Sequence, residues 1–413
     1  MIAVAAGRVV RTMGETIVAA FPGACVGACV RIRRAAGPPL RGSVASVERG
    51  RAAIVPFGPA TGIAVGDGVE TDEEDRLVLG FAAVRRAVGA YGEPLDGCAP
   101  LRGLRYPVRP APVSPLQRAP VSVPLCTGIR VLDGLLTLGR GARIGTFGPP
   151  GSGKSQLLEE IARGVVADAI VIGLVGERGR EAQQWIARRD ARTTIVCATS
   201  DRPARERVRA AEIAVAQAAA LRSRGFHVLL VLDSLARYAS AASDLRRTLG
   251  EAPGRGGYAA GVWDDVAGLL EIAGETAEGS ITLVCSILTD GDDERDPLAV
   301  AARSYLDGHV LLSAELARAG RFPAIDVLAS ASRTMAAASG PEVVAAAAAV
   351  RQALALLAAS EDFRAAGLAG EDPALTRAAR CVGDLDAFRF GVQGTPIVQT
   401  LERLRDLAQR LRA

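Results

Sequence analysis

One lysine serves this chain of 413 residues, and it stands at Lys154 within Gly148-Pro149-Pro150-Gly151-Ser152-Gly153-Lys154-Ser155. All other basic residues among the 49 are arginine. Chance would put a lone lysine at the required place in G-x-x-x-x-G-K-[ST] about once in four hundred. That pattern constrains the local fold. Residues 143–147 read as a strand entering the loop and residues 155–166 as the helix leaving it, so that N–H groups and the positive helix end surround an anion. Arginine would not serve here: a compact ammonium can lie along the β- and γ-phosphates, whereas a guanidinium is too broad for the loop. Pro149 and Pro150 have no N–H, so the donors must come from Gly151, Ser152, Gly153, Lys154 and Ser155. The Ser155 hydroxyl is the expected Mg²⁺ ligand. The loop specifies a nucleotide, not a reaction.

Composition narrows the remaining classes. The formal net charge is +4 and aromatics make up only 4%, which leaves neither a broad basic field nor a stacking surface for nucleic acid. The absence of asparagine and near-absence of lysine read as a genome signature. Seven cysteines lie scattered in apolar stretches. Cys25 and Cys29 are four apart, but no second pair completes a zinc site, so buried free thiols in a reducing compartment are expected. No stretch approaches the ~20 apolar residues of a membrane helix. The start is apolar before Arg8 and Arg11, the reverse of a signal peptide, and a cytosolic chain is expected.

Periodicity divides the chain in three. Over residues 1–84, short segments such as Gly7-Arg8-Val9-Val10-Arg11, Cys29-Val30-Arg31-Ile32-Arg33 and Ala52-Ala53-Ile54-Val55 alternate with Gly/Pro turns, predicting a small β-barrel or sandwich. Residues 85–338 form the core, with a Pro-rich extended crossing at 100–124. Uninterrupted apolar runs at 170–175, 194–197, 228–232, 281–288 and 310–312 alternate with helical stretches such as 204–224, predicting a parallel α/β sheet covered on both faces. Over 339–413 strands disappear. Pro341, Pro373 and Pro396 each open a helical stretch where a first turn tolerates proline.

Two carboxylates sit where strands of that sheet end. Asp233 closes His227-Val228-Leu229-Leu230-Val231-Leu232, a place suited to anchoring Mg²⁺ and equally to capping the next helix. Glu177 follows the run at 171–175 in Gly176-Glu177-Arg178-Gly179-Arg180-Glu181. There it could polarise a water, or simply belong to a solvated charged turn.

With these motifs in place, the chain resembles the type III secretion ATPases, the injectisome and flagellar export family related to the catalytic subunits of rotary ATP synthases. Gly92-Glu93-Pro94-Leu95-Asp96-Gly97, Thr127-Gly128-Ile129-Arg130-Val131-Leu132-Asp133-Gly134-Leu135-Leu136, the Glu177 motif and Leu232-Asp233-Ser234-Leu235-Ala236-Arg237-Tyr238-Ala239 carry the resemblance. Gly291-Asp292-Asp293, Asp296-Pro297, Leu306-Asp307-Gly308-His309 and Phe322-Pro323-Ala324-Ile325-Asp326-Val327-Leu328 continue it, in order and spacing. There are departures: Pro149-Pro150 and Ser152 in the loop, Ala259-Ala260 after Tyr258 where the family has prolines, and Ala366-Gly367-Leu368 without the family's tyrosine. The N-terminal arm is also short.

The resemblance implies a RecA-like P-loop core between an N-terminal barrel and a C-terminal helical domain. It implies ATP and Mg²⁺ as cofactors, with Lys154 and Ser155 on phosphate and metal, Asp233 in the Mg²⁺ shell and Glu177 activating water. Arg178 would lie near the γ-phosphate, and Arg333 would be an arginine finger supplied to a neighbour's nucleotide. A homohexamer follows, peripheral to the bacterial inner membrane, with stator, central stalk and chaperone–substrate complexes as partners. The implied activity is ATP hydrolysis driving protein export. The alternatives are a flagellar export ATPase specifically, or a non-hydrolysing paralogue or synthase-type subunit. Retention of Glu177 and lack of the synthase's acidic helical-domain segment weigh against the latter pair.

Overall fold

The computed structural model describes residues 6–412 apart from 15, 36, 73, 290–294, 361–371 and 392–393. The motif residues Gly291-Asp292-Asp293 and Ala366-Gly367-Leu368 therefore lie outside the described residues. The chain forms two compact units: Met1–Ala111 with Ile172–Ala220 and Leu235–Leu269, and Pro112–Val171 with Leu221–Ser234 and Leu270–Ala413.

The first unit opens with a closed barrel. Its strands are β1 (Ala6–Met13), β2 (Thr16–Ala20), β3 (Cys29–Ile32), β4 (Leu40–Glu48), β5 (Arg51–Pro56) and β6 (Gly68–Thr71), ordered β1-β2-β5-β4-β3-β6. Alternating residues turn inward, and Val9, Ile17, Phe21, Val30, Ile32, Val44, Ile54 and Val69 fill the interior. Register shifts between Val9 and Arg11 and between Val44 and Ser46 supply the bends that closure needs. Gly7 is required by packing, because a Cβ there would lie 2.7 Å from the Ala20 carbonyl oxygen.

A short pair, β7 (Arg76–Val78) and β9 (Arg105–Pro107), and the strand β8 (Ala87–Val88) follow the barrel. β8 runs parallel to β13 (Thr193–Ala198). The helices α3 (Gly179–Arg188), α4 (Ala204–Arg222), α5 (Leu235–Thr248) and α6 (Val262–Leu270) complete the segments around them. Arg209 of α4 fastens the barrel to these helices. It donates to Asp75 at 2.8 Å and stacks over Phe57, 4.2 Å from the ring centroid.

The second unit contains a parallel sheet. Parallel strands β17 (Gly308–Leu312), β11 (Arg143–Gly148), β16 (Ser280–Leu288) and β14 (His227–Asp233) lie in that order, with β18 (Ile325–Ser332) antiparallel on the β17 edge. β10 (Arg118–Ala119) and β15 (Gly274–Thr276) pair off the main path. β12 (Ala169–Val175) is wholly buried, as its unbroken apolar run requires. The helices α1 (Arg130–Leu135), α2 (Lys154–Gly164), α7 (Pro297–Tyr305), α8 (Ala314–Arg318) and α9 (Met335–Ala338) connect the strands. The C-terminal cluster is α10 (Pro341–Ala359), α11 (Pro373–Arg380), α12 (Val382–Arg389) and α13 (Ile397–Arg412). The architecture is thus an N-terminal barrel, a central parallel sheet with helices and a C-terminal helical cluster.

Several expectations are corrected. The helical stretch opened by Pro373 breaks at Cys381, whose N–H donates to both Arg377 and Ala378 carbonyls as the chain turns. α10, at 19 residues and mean hydropathy 1.6, is long and apolar enough to cross a membrane, contrary to the expectation that no stretch approaches this. It buries Val343, Ala346, Ala347, Val350, Ala353 and Leu354, so part of its apolar composition serves the helical cluster. Only Cys197, Cys285 and Cys381 are buried thiols, whereas Cys25 and Cys98 are exposed.

Candidate functional site

The P-loop runs between β11 and α2 as the pattern predicted. Gly151 and Gly153 adopt φ of 79° and 91°, a left-handed backbone that glycine alone takes without strain. Lys154 folds back over the loop, its Nζ donating to the carbonyls of Gly148 and Pro149 at 2.6 and 2.7 Å. Pro149, which has no N–H to offer an anion, supplies a carbonyl that also accepts from Ser152 Oγ at 2.8 Å. Pro149 therefore shapes the loop as an acceptor. Ser155 stands in the first turn of α2, beside the free N–H groups of the helix end.

Asp233 ends β14 and is 6% exposed. The parallel register pairs Leu232 with Cys285, which brings Asp233 beside Ser286, and the Ser286 hydroxyl donates to Asp233 Oδ1. β16 lies between the P-loop strand and the Asp233 strand, with Thr146 opposite Ser286 on its other side. A hydroxyl at a helix start and a single buried carboxylate are hard oxygen donors. They suit Mg²⁺, which takes its other ligands from water and phosphate. Among the described residues no group of three or more His, Cys, Asp or Glu gathers as a cage.

Two further residues of this unit bear on the site. The Phe322 ring packs against Gly153, where an added Cβ would meet it at 3.2 Å. The Phe322 carbonyl accepts from Gly391 N–H at 3.0 Å. Arg333 follows β18 and is exposed, and its N–H donates to the Asp307 carbonyl at 2.8 Å. Among the described residues its guanidinium has no hydrogen-bond or ion-pair partner.

Glu177, Arg178 and Arg237 belong to the first unit. Glu177 is 5% exposed, so the reading of a solvated turn fails for it. That reading holds for Arg178, Gly179 and Arg180, which are exposed. The turn is pinned by Gly176 N–H on the Ala198 carbonyl at 2.7 Å and Ser200 N–H on the Glu177 carbonyl at 3.0 Å. Arg237, in the first turn of α5, forms an ion pair with the Glu177 carboxylate. Gly176 makes this approach possible, since a Cβ there would sit 3.1 Å from Arg237 Cδ at a φ of 71°.

The Gly92–Gly97 motif has a structural role that its spacing did not disclose. Asp96 accepts from Arg86 Nε at 2.8 Å and Nη2 at 3.1 Å, and from the N–H groups of Ala87 and Cys98. The Arg86 hydrogen bonds hold its carboxyl well below the usual carboxylate range, outweighing burial and aided by the two N–H donors. A carboxyl depressed on folding stabilises fully above its unfolded value near 3.8 and loses that contribution as pH falls toward the folded value. Replacing Asp96 by alanine should therefore lower unfolding stability by about 2 kcal/mol at pH 7. The gap to the unsubstituted protein should narrow below pH ~4 in denaturant titrations.

Comparison with known proteins agrees with this geometry. Residues 128–332 match the nucleotide-binding domain of the ATP synthase alpha/beta family. A flagellum-specific ATP synthase of Treponema pallidum (strain Nichols) is 38% identical over 392 residues, covering 92% of this chain and 88% of the relative. A type 3 secretion system ATPase of Sinorhizobium fredii is 36% identical over 392 residues, covering 92% of this chain and 87% of the relative. The assembled ATPase EscN of the enteropathogenic E. coli type III secretion system superposes with a TM-score of 0.91 at 34% identity, covering 97% of this chain and 100% of that one. EscN solved with its central stalk EscO gives a TM-score of 0.88. The chain belongs to the type III secretion and flagellar export ATPases, within the ATP synthase alpha/beta family.

Proposed function

We propose that this chain hydrolyses ATP to energise type III protein export, releasing and unfolding chaperone-bound substrates at the cytoplasmic face of the apparatus. The observation that carries the hydrolytic reading is Glu177, a buried carboxylate at the end of a sheet strand in a chain that also keeps Lys154. A nucleotide-binding subunit without hydrolysis would not need that carboxylate to activate water.

The residues divide the work as follows. Gly148 through Ser155 bind the triphosphate. The Lys154 ammonium exchanges the carbonyls of Gly148 and Pro149 for phosphate oxygens, which are stronger, charged acceptors. Ser155 and Asp233 would hold Mg²⁺, and Ser286 keeps the Asp233 carboxylate oriented. Mg²⁺ neutralises phosphate charge that would otherwise repel an attacking oxygen. Glu177 orients the water and takes its proton. Arg237 holds that carboxylate in place between turnovers. Arg178 lies near the γ-phosphate, and Phe322 offers a ring for the base.

Arg333, exposed in one subunit, reaches the nucleotide of the next, so the active form is a homohexamer. In this reading residues 1–84 build its barrel ring, 85–338 the catalytic core, and 339–413 the helical face toward substrates. The partners are stator and central stalk proteins of the export apparatus, beside the inner membrane, as EscN is solved with its central stalk EscO. Assembly gives a direct test. Phosphate release per subunit should climb with protein concentration, because isolated subunits lack the neighbour's arginine. A flat profile across the assembly range would refute the shared site.

A further inference from the structure

Arg130 is 6% exposed in α1 and is none of the phosphate-binding or metal-binding residues assigned above. Its guanidinium reaches the far end of α12. Nη2 donates to the carbonyls of Ala387 at 3.0 Å and Phe390 at 2.6 Å, and Nε to Phe388 at 3.2 Å. Nη1 donates to Thr395 Oγ1 at 3.2 Å. These carbonyls belong to the last turn of a helix, where four acceptors lack intrahelical partners and the dipole end is negative. Arg130 thus caps α12 from another element.

Described residues near the α12 end are held at other points. The N–H groups of Gly394 and Thr395 donate to the Gly128 carbonyl at 2.9 and 3.1 Å. Phe388 packs where Gly134 has no Cβ, since an added one would lie 2.8 Å from its ring. Gly391, next to Phe390, donates to the Phe322 carbonyl, and the Phe322 ring lies on Gly153 of the P-loop. The Phe390 ring is flanked by the guanidinium groups of Arg389 and Arg321, at 4.6 and 5.4 Å. Phe322 and Phe390 are both only half-buried.

We propose that Arg130 is a positioning residue for the base of the nucleotide: by capping α12 it sets Gly391, whose N–H holds the Phe322 carbonyl and with it the Phe322 ring on Gly153 of the P-loop. This rests on the ATPase reading and adds to it a route from the C-terminal helices to the nucleotide. Movement of α12 would alter the base contact while leaving the phosphate cradle in place. The triphosphate would be held by loop N–H groups and Lys154.

The test compares two ligands, Mg·ATP and Mg·tripolyphosphate, by equilibrium binding to the full chain. Arg130→Gln should weaken ATP about tenfold, within the worth of one base–aromatic stacking contact. Its tripolyphosphate affinity should stay within about twofold of wild type, since the phosphate contacts persist. Arg130→Lys keeps the charge but reaches fewer carbonyls, and should show a smaller loss also confined to ATP. It serves if the glutamine variant does not fold. Parallel weakening of both ligands, or undiminished ATP affinity in a folded variant, would overturn the proposal. A wild-type chain that binds neither ligand would instead sink the ATPase reading itself.

Discussion

Glu177→Gln should cut ATP turnover by about 10²–10⁴-fold, the usual worth of a positioned general base. The amide matches the carboxylate in size, so the packing of a 5% exposed residue is retained. What it loses is the ability to take a proton from water. ATP binding should change little, because the loop donors and Lys154 are untouched. Arg237 loses its anionic partner, which should lower thermal stability, but only modestly, since that side chain is 37% exposed and partly solvated. Phosphate release measured beside nucleotide binding separates the two effects. Equal turnover in both proteins would remove Glu177 from the chemistry.

Arg333→Ala should be at least as damaging, with a loss of about 10³–10⁵-fold, as for arginine fingers in other nucleotide hydrolases. The side chain is exposed and follows the edge strand β18, so its removal should hardly alter stability. A planar, permanently charged group can neutralise charge that develops on equatorial phosphate oxygens. Lysine at this position should recover only part of the rate, because it cannot present two parallel donors. The informative pattern is a lost kcat with unchanged melting temperature and unchanged oligomer mass. Wild-type turnover in the alanine variant would show that no neighbour's arginine is needed.

What could be read in advance follows from how local each requirement is. The loop between β11 and α2 was legible because its whole pattern lies within eight consecutive residues, Gly148 to Ser155. The positions of Asp233 and Glu177 were legible because each comes at or just after the end of a buried apolar strand. Ser286, Arg237 and Phe322 were not, since each acquires its partner only through strand register or tertiary packing. A serine inside an apolar run or a phenylalanine before proline gives no sign of its contact. The strand at Thr16–Ala20 was hidden in an uncharged stretch, because both its faces are partly covered and polar alternation is absent. The break at Cys381 was hidden too, since nothing in the composition of 373–388 excludes a continuous helix. Asp96 illustrates a third case, in which the motif was noticed but its role as a turn-locking carboxylate needed the Arg86 contact.

The claim on which the rest depends is that one catalytic site is built from two copies of the chain. Mixing Lys154→Ala with Arg333→Ala subunits tests it most directly. Each variant alone should be nearly inactive. In a co-assembled equal mixture, about one interface in four would join an intact Lys154 loop to an intact Arg333 under random assembly. Phosphate release should therefore rise well above that of either variant alone, and in proportion to mixed assembly. Mixed oligomers no more active than the separate variants would contradict the account.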